Sequence, residues 1–236
     1  MNEYTLEQYN AMLEEGVVQK NTIIIVKHAL KCFVKGTGSS NPSKTNGVYH
    51  SDKGEIVSAN AKGGLYFKDV WIKNARSFNY NPKDNYLAYD CDWFDYSWFD
   101  CTEEKYIEGG FNLIASKPVI EAIKTCNTMS RTFGSKSGDL RVKISGDKIV
   151  VSPILKGEIE YMEYSLDVSI NVSNVISKVD KEFIINGKML LECLTLYNRL
   201  EVEYVSVALV NDKSKRILIK PVLSNIEGCY TIVSTW

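Results

Sequence analysis

No stretch of this sequence is apolar for long enough to cross a bilayer. The best candidate, TIIIV at residues 22–26, is far short of the ~20 apolar residues that a spanning helix needs. The start, MNEYTLEQY, is acidic and polar, so it does not read as a secretory signal. None of the six cysteines (Cys32, Cys91, Cys101, Cys126, Cys193 and Cys229) belongs to a C-x-x-C pair, which leaves a zinc site of familiar spacing without support. The expected state is reduced thiols in a cytoplasmic compartment, with Cys32, Cys126 and Cys193 serving as small hydrophobes in apolar helical patterns. Histidine is scarce: only His28 and His50 occur, and no His-Glu-x-x-His run, Gly-rich phosphate loop or G-x-x-x-x-G-K-[ST] accompanies them. No Ser-His-Asp or Cys-His order stands out. Basic charge is not in excess either, with a formal net charge of −1 and a pI near 6.2. That balance excludes a globally basic nucleic-acid coat and leaves room for a local basic face.

What is present is a chain of 236 residues, 44% hydrophobic and 24% charged, enough for two ordinary domains or one large one with a real core. TLEQYNAMLEEG opens it as a helix, with Thr5 and Gln8 spaced for a capping box and Gly16 as the stop. Further on, one pattern is written twice. FNLIASKPVIEAI (111–123) and FIINGKMLLECL (183–194) each run strand, polar break, lysine, two apolars, glutamate, small residue, apolar. Asn186-Gly187 breaks the second strand, and Asn186 is a natural cap for the helix after it. Two β-rich runs follow each copy: LRVKI and KIVVSPI after the first, EYVSVALV and RILIKPV after the second. The turns SGD (145–147) and NDK (211–213) between them are hairpin chemistry. The unit reads β-α-β-β. A third copy starts at TIIIVKHALKCF (22–33), where the run of β-branched residues favours a strand followed by a helix over one continuous helix. NGVYHSD and GEIVSANA, split by a turn at 52–54, are its following strands. The segment 73–108 offers no helix of this kind, so three copies are found. Such repetition dictates architecture: the expected class is α+β, built from repeated β-α-β-β units in which each helix packs one side on a sheet.

The polar sides of the three helices share a bias. Lys117, Lys124 and Arg131 recur every seven residues opposite the apolar stripe Val119, Ile120, Ile123 and Cys126. Lys188, Thr195 and Arg199 lie opposite Leu190, Leu191, Leu194 and Tyr197. Lys27, Lys31 and Lys35 step along the flank opposite Ala29, Leu30 and Phe33, with no acid between Lys20 and Lys35. Lysines are ordinary on exposed helix faces, but the same bias on three equivalent helices points to a polyanion surface. Such a surface makes sequence-independent phosphate contacts with strong salt dependence. The compensating acids lie elsewhere, Glu158, Glu160 and Glu163 and the Asp-rich 90–100 among them.

YDCDWFDYSWFDC (89–101) crowds Asp90, Asp92, Asp95 and Asp100 among aromatics. An Asp-x-Asp pair can hold a divalent ion for nucleotidyl transfer, but it needs convergent ligands from elsewhere. The alternative is a connector between domains whose aromatics pack on a sheet while its aspartates face water.

This ordered series of elements resembles the DNA sliding clamps, most clearly the C-terminal domain of bacterial β-clamps. FIINGKMLLECL is similar to their strand end and leucine-rich helix. EVEYVSVALVNDKSKRILIKPV is similar to the strand pair that follows, and CYTIVSTW to the last strand. GVYHSDKGEIVSANAKGGLYF (47–67) resembles a strand running into a turn, altered here to 60–65. The resemblance implies β-α-β-β(-β) units with helices on the inner face and antiparallel sheets outside, in a divergent N-terminal domain with its connector at 1–107 and a second domain at 108–236. It implies a ring of six such domains, three two-domain subunits, whose helices line a basic hole around duplex DNA. Lys27, Lys31, Lys35, Lys117, Lys124, Arg131, Lys188 and Arg199 would face the duplex. Leu65, Trp93, Phe94, Pro221, Ile232 and Val233 would border a groove for partner peptides, although the family's apolar ending is replaced here by Ile232, Val233 and Trp236. The partners implied are a DNA polymerase and a clamp-loader ATPase, with no catalytic residue and no cofactor in the clamp itself, in a phage or bacterial setting. Two alternatives stay open. One is a monomeric clamp-like adaptor or inhibitor that binds a replication protein. The other is a metal-dependent nucleic-acid enzyme using Asp90 and Asp92.

Overall fold

The computed structural model describes residues 3–37, 46–89, 91, 99, 107–134, 136–145, 148–155, 168–171, 181–210 and 216–233. The chain forms two compact units, residues 1–100 with 224–230 and residues 101–223 with 231–236.

The second unit carries the duplication, all but Gly228–Tyr230 of its last strand. The first repeat runs β6 (Ile107–Ile114), α3 (Lys117–Phe133), β7 (Asp139–Ser145), β8 (Lys148–Pro153) and β9 (Val168–Asn171). The next runs β10 (Lys181–Asn186), α4 (Gly187–Arg199), β11 (Tyr204–Val210), β12 (Arg216–Val222) and β13 (Gly228–Val233). Each repeat gives its first strand to the other. β10 pairs antiparallel with β7, so one sheet reads β10-β7-β8-β9. β6 pairs antiparallel with β11, placing Phe111 opposite Val207, and β11 continues to β12. Between the sheets and the two helices lies a core that includes Phe111, Ile123, Val142, Val151, Phe183 and Leu190.

Local chemistry sets the helix ends. The Asn186 side chain accepts from the Met189 amide at 3.0 Å, as its cap role requires. Gly187, the first residue of α4, donates its amide to Gly138 O at 3.2 Å. A Cβ there would come within 2.3 Å of that oxygen, so only glycine lets the helix begin this close to the loop ahead of β7. On the buried side Ile123 and Cys126 of α3, and Leu194 and Tyr197 of α4, have no exposure. The turn at 145–147 is described only at Ser145, and the turn at 211–213 lies outside the described residues.

The first unit begins with α1 (Leu6–Glu14), whose capping box is complete: Gln8 N donates to the Thr5 hydroxyl and Thr5 N to the Gln8 side chain. Gly16 ends it with φ +72°. α2 (Lys20–Cys32) corrects the strand-then-helix expectation, because TIIIV lies inside one continuous helix. β-Branched residues cost a helix at most ~0.7 kcal/mol each, whereas burying an Ile side chain contributes about 1.5–3 kcal/mol. Thr22, Ile25, Val26 and Ala29 are all buried, so packing outweighs propensity. No strand precedes α2 among the described residues. β1 (Val48–His50) and β2 (Ile56–Asn60) follow as expected, with Gly54 at φ +85° in the turn between them. β3 (Gly63–Phe67) corrects the turn read at 60–65: Gly63, Gly64 and Leu65 pair with Asn60, Ala59 and Ser58, which leaves only 61–62 to turn. β4 (Phe78–Asn81) and β5 (Tyr86–Tyr89) complete the strand order β5-β4-β1-β2-β3. In the second unit the strand after each helix pairs with the first strand of the other repeat. β4 occupies that place here, beside β1, and leads into β5 rather than a helix.

α1 packs on this sheet through Tyr9, which is fully buried. Around it stand His50, Trp71, Phe78 and Tyr80, and the His50 ring stacks on Phe78 with centroids 4.4 Å apart. His50 Nδ1–H donates to Val48 O at 3.2 Å, which leaves Nε2 to accept from the Tyr9 hydroxyl at 2.6 Å. Burial lowers the His50 pKa to about 3, against the ordinary 6.5. The unfolded chain therefore takes up a proton that the folded one refuses, and stability is lost as pH falls from 6.5 towards 3. Between pH 7 and pH 4.5 this one residue removes roughly 2–3 kcal/mol. Urea melts of the wild type and of His50→Phe at both pH values test it: the wild type should lose this increment and the variant should not.

Candidate nucleic-acid interface

The three basic helices expose the side chains that their spacing marked. Lys27 and Lys31 of α2 are exposed, and Lys35 stands three residues beyond its end. Lys117, Lys124 and Arg131 are exposed along α3, and Lys188 and Arg199 at the two ends of α4. α2 holds Lys20, Lys27 and Lys31 and no acid; α3 sets three bases against Glu121; α4 sets Lys188 and Arg199 against Glu192. α1 is the reverse, with Glu7 and Glu14 and no base. Lys124 is drawn to Glu121 at 3.1 Å, with both side chains more than half exposed. Such a pair contributes ~0–1 kcal/mol and lets the lysine reach elsewhere at little cost.

Between these cations α3 carries exposed hydroxyls. Thr125, Thr128 and Thr132 donate to the carbonyls of Glu121, Lys124 and Thr128 at 2.9, 2.9 and 3.0 Å. The donors are spent within the helix and the oxygens are left to water, so the face meets an anion by charge and adds no fixed hydrogen-bond geometry. An arrangement of this kind binds a phosphate backbone without reading bases.

Sequence reasoning missed what holds the end of α2. The turn between β4 and β5 places Lys83 Nζ 2.8 Å from Leu30 O and 2.7 Å from Val34 O, a cation on the negative end of the helix. Asp84 beside it receives Thr37, Asn46 and Asn81. The only advance signal was the Asn-Pro-Lys-Asp-Asn turn composition at 81–85, which says that a turn forms but not what it grips.

Of the peptide-groove candidates, Leu65 in β3 and Ile232 in β13 are fully buried and present no side-chain surface. Pro221 and Val233 are half-buried, and Trp93 and Phe94 lie outside the described residues. Of the segment 89–101 only Tyr89, Cys91 and Phe99 are described. Phe99 is buried against Tyr49, Val57 and Ala59, with Tyr66 beside it. A Cβ on Gly64 would lie 2.8 Å from the Phe99 ring, so the glycine makes room for it. At this residue the connector does pack an aromatic on the sheet. Asp90 and Asp92 lie outside the described residues, as do Glu158, Glu160 and Glu163. No helix among the described residues is long and apolar enough to cross a membrane.

No protein-family model matches the chain, and no curated protein matches it by sequence. Solved structures do match. The DNA polymerase III beta chain of Streptococcus pneumoniae superposes with a TM-score of 0.63 at 12% identity, covering 93% of this chain and 64% of that one. The DNA polymerase sliding clamp of Pseudomonas aeruginosa gives 0.64 at 11% identity, covering 93% and 65%. The Helicobacter pylori beta clamp bound to a DNA ligase peptide gives 0.61 at 14% identity, covering 93% and 65%. The chain thus spans about two thirds of the length of these clamps or slightly less. With its exchanged-strand α+β repeats, it has the fold of the bacterial β sliding clamps.

Proposed function

We propose that this protein is a sliding clamp: a ring that surrounds duplex DNA and tethers a DNA polymerase by topology rather than by tight binding. The observation that carries the reading is the pair of repeats in the second unit, whose helices turn Lys117, Lys124, Arg131, Lys188 and Arg199 outward from a shared core. α2 repeats the bias with no acid at all. In this reading residues 108–236 are a complete clamp domain and 1–107 a divergent one with its connector. A chain covering 64–65% of a three-domain clamp supplies two domains, and three copies close a six-domain ring. A clamp-loader ATPase opens that ring, and the clamp itself performs no chemistry. Partners dock by short peptides, as a DNA ligase peptide does on the Helicobacter pylori clamp.

One observation favours a second reading. The first unit has the acidic α1 and a β4–β5 hairpin in place of a full repeat, and so lacks a fourth basic helix among its described residues. A monomeric clamp-like adaptor or inhibitor of a replication protein would need no closed ring. Size-exclusion chromatography with light scattering, run over a range of protein concentrations, separates the two. A mass near three times the 26.7 kDa chain is expected for the ring, and a monomer at every concentration would replace it with the adaptor.

A further inference from the structure

Lys35 follows α2 in a stretch that belongs to no helix or strand. Its backbone is nevertheless clasped on both sides. The Asn46 side chain accepts from Lys35 N at 2.9 Å and donates to Lys35 O at 2.6 Å, imitating a strand partner with a single amide. Asn81 Nδ2 reaches the same Lys35 carbonyl at 3.4 Å and the Asn46 carbonyl at 2.9 Å. Asp84 ties the clasp together. One carboxylate oxygen takes Thr37 N at 2.6 Å; the other takes the Thr37 hydroxyl at 2.9 Å, Asn46 Nδ2 at 3.3 Å and Asn81 Nδ2 at 3.0 Å. Immediately upstream, Lys83 Nζ holds Leu30 O and Val34 O. The turn is itself shaped for this: Asn81 Oδ1 accepts from Lys83 N at 2.9 Å, and Asn85 takes φ +57°.

From this geometry we infer that the β4–β5 turn is a positioning device for Lys35, with Asp84 as its keystone. It would fix the exit of α2 so that this cation is presented to a phosphate as part of the duplex-facing surface. The inference rests on the reading of α2 as a duplex contact. A lysine on a free segment loses backbone freedom when it binds, and that loss offsets the attraction. Here only the side-chain torsions remain to be ordered. Asp84 and Asn46 touch no DNA themselves; they act through Lys35.

The test is the salt dependence of binding to a short duplex, followed by fluorescence anisotropy with the full chain. Each phosphate contact contributes about 0.9 to the slope of log K against log salt. Lys35→Ala should lower the slope by about 0.9 per chain, and Asp84→Ala should lower it equally. The double variant should go no lower than either. Asn46→Ala reads the same clasp should Asp84→Ala fail to fold. If Lys35→Ala lowers the slope while Asp84→Ala and Asn46→Ala lose only thermal stability, the clasp is structural; the inference falls and the basic-helix reading stands. If Lys35→Ala leaves the slope unchanged in a protein that binds DNA, the inference falls alone. A wild-type chain with no salt-dependent affinity would overturn both.

Discussion

Replacing Lys117, Lys124 and Lys188 with Ala and Arg131 with Gln should weaken duplex binding by orders of magnitude while leaving the protein folded. All four side chains are exposed, and exposed changes of this kind usually shift stability by no more than ~0.5 kcal/mol each. Arg131 is kept long because its stem passes close to Gly138, where an added Cβ would lie 2.6 Å from Arg131 Cγ. With about 0.9 of a counterion released per neutralised phosphate, each phosphate left without its cation costs on the order of tenfold in affinity at 50 mM salt. If three of the four side chains meet phosphate, affinity falls by roughly a thousandfold, and the slope against salt falls with it. Glu121, freed from Lys124, adds a small further repulsion. Anisotropy on duplexes of unrelated sequence is the measurement, and the loss should not depend on base composition. Full binding retained by this variant would remove α3 and α4 from the interface.

Tyr9→Ala should cost the protein about 3–5 kcal/mol, the range for truncating a large buried aromatic. Tyr9 packs α1 against its sheet, with ring centroids 5.3 Å from His50, 5.6 Å from Trp71, 5.2 Å from Phe78 and 4.7 Å from Tyr80. Its hydroxyl also satisfies His50 Nε2. Tyr9→Phe keeps the rings packed and strands that nitrogen, so its cost should be only about 1–3 kcal/mol. Urea denaturation of both variants, with hydrogen exchange to localise the loss, tests the order. A Tyr9→Ala protein as stable as the wild type would show that α1 is an appendage to this unit.

The duplication in the second unit was legible because each repeat states its own boundaries. Hydrophobic period, the Asn186 cap and the β-rich runs all agree there, and β6 to β8 and β10 to β12 form where those signals stand. α2 was misread because TIIIV is a strand by propensity and a helix only once Ile25 and Val26 have something to pack against. The hairpin β4–β5 left a faint trace, since FNYNPKDNYLAY mixes aromatics with turn residues and has no clear alternation. The outward lysines could be read from their spacing because exposure on an amphipathic helix is a local property. The clasp on Lys35 could not be, since Asp84 meets Thr37 across 47 residues. The buried positions of Leu65 and Ile232 likewise depend on which strands become neighbours.

The exchange of first strands between the repeats has a consequence for how the protein is made. β6 emerges early in synthesis but has no partner until β11 has been translated, because Ile114 pairs with Tyr204 and Phe111 with Val207. Neither half of the duplication can close its own sheet, so the pair is one cooperative folding event with long loops to close. Until then β6 waits as an unpaired edge bearing Phe111 and Leu113, the kind of surface on which nascent chains associate with one another. A chain stopped before residue 200 would be stranded in that state, and should be found in aggregates rather than as half a domain.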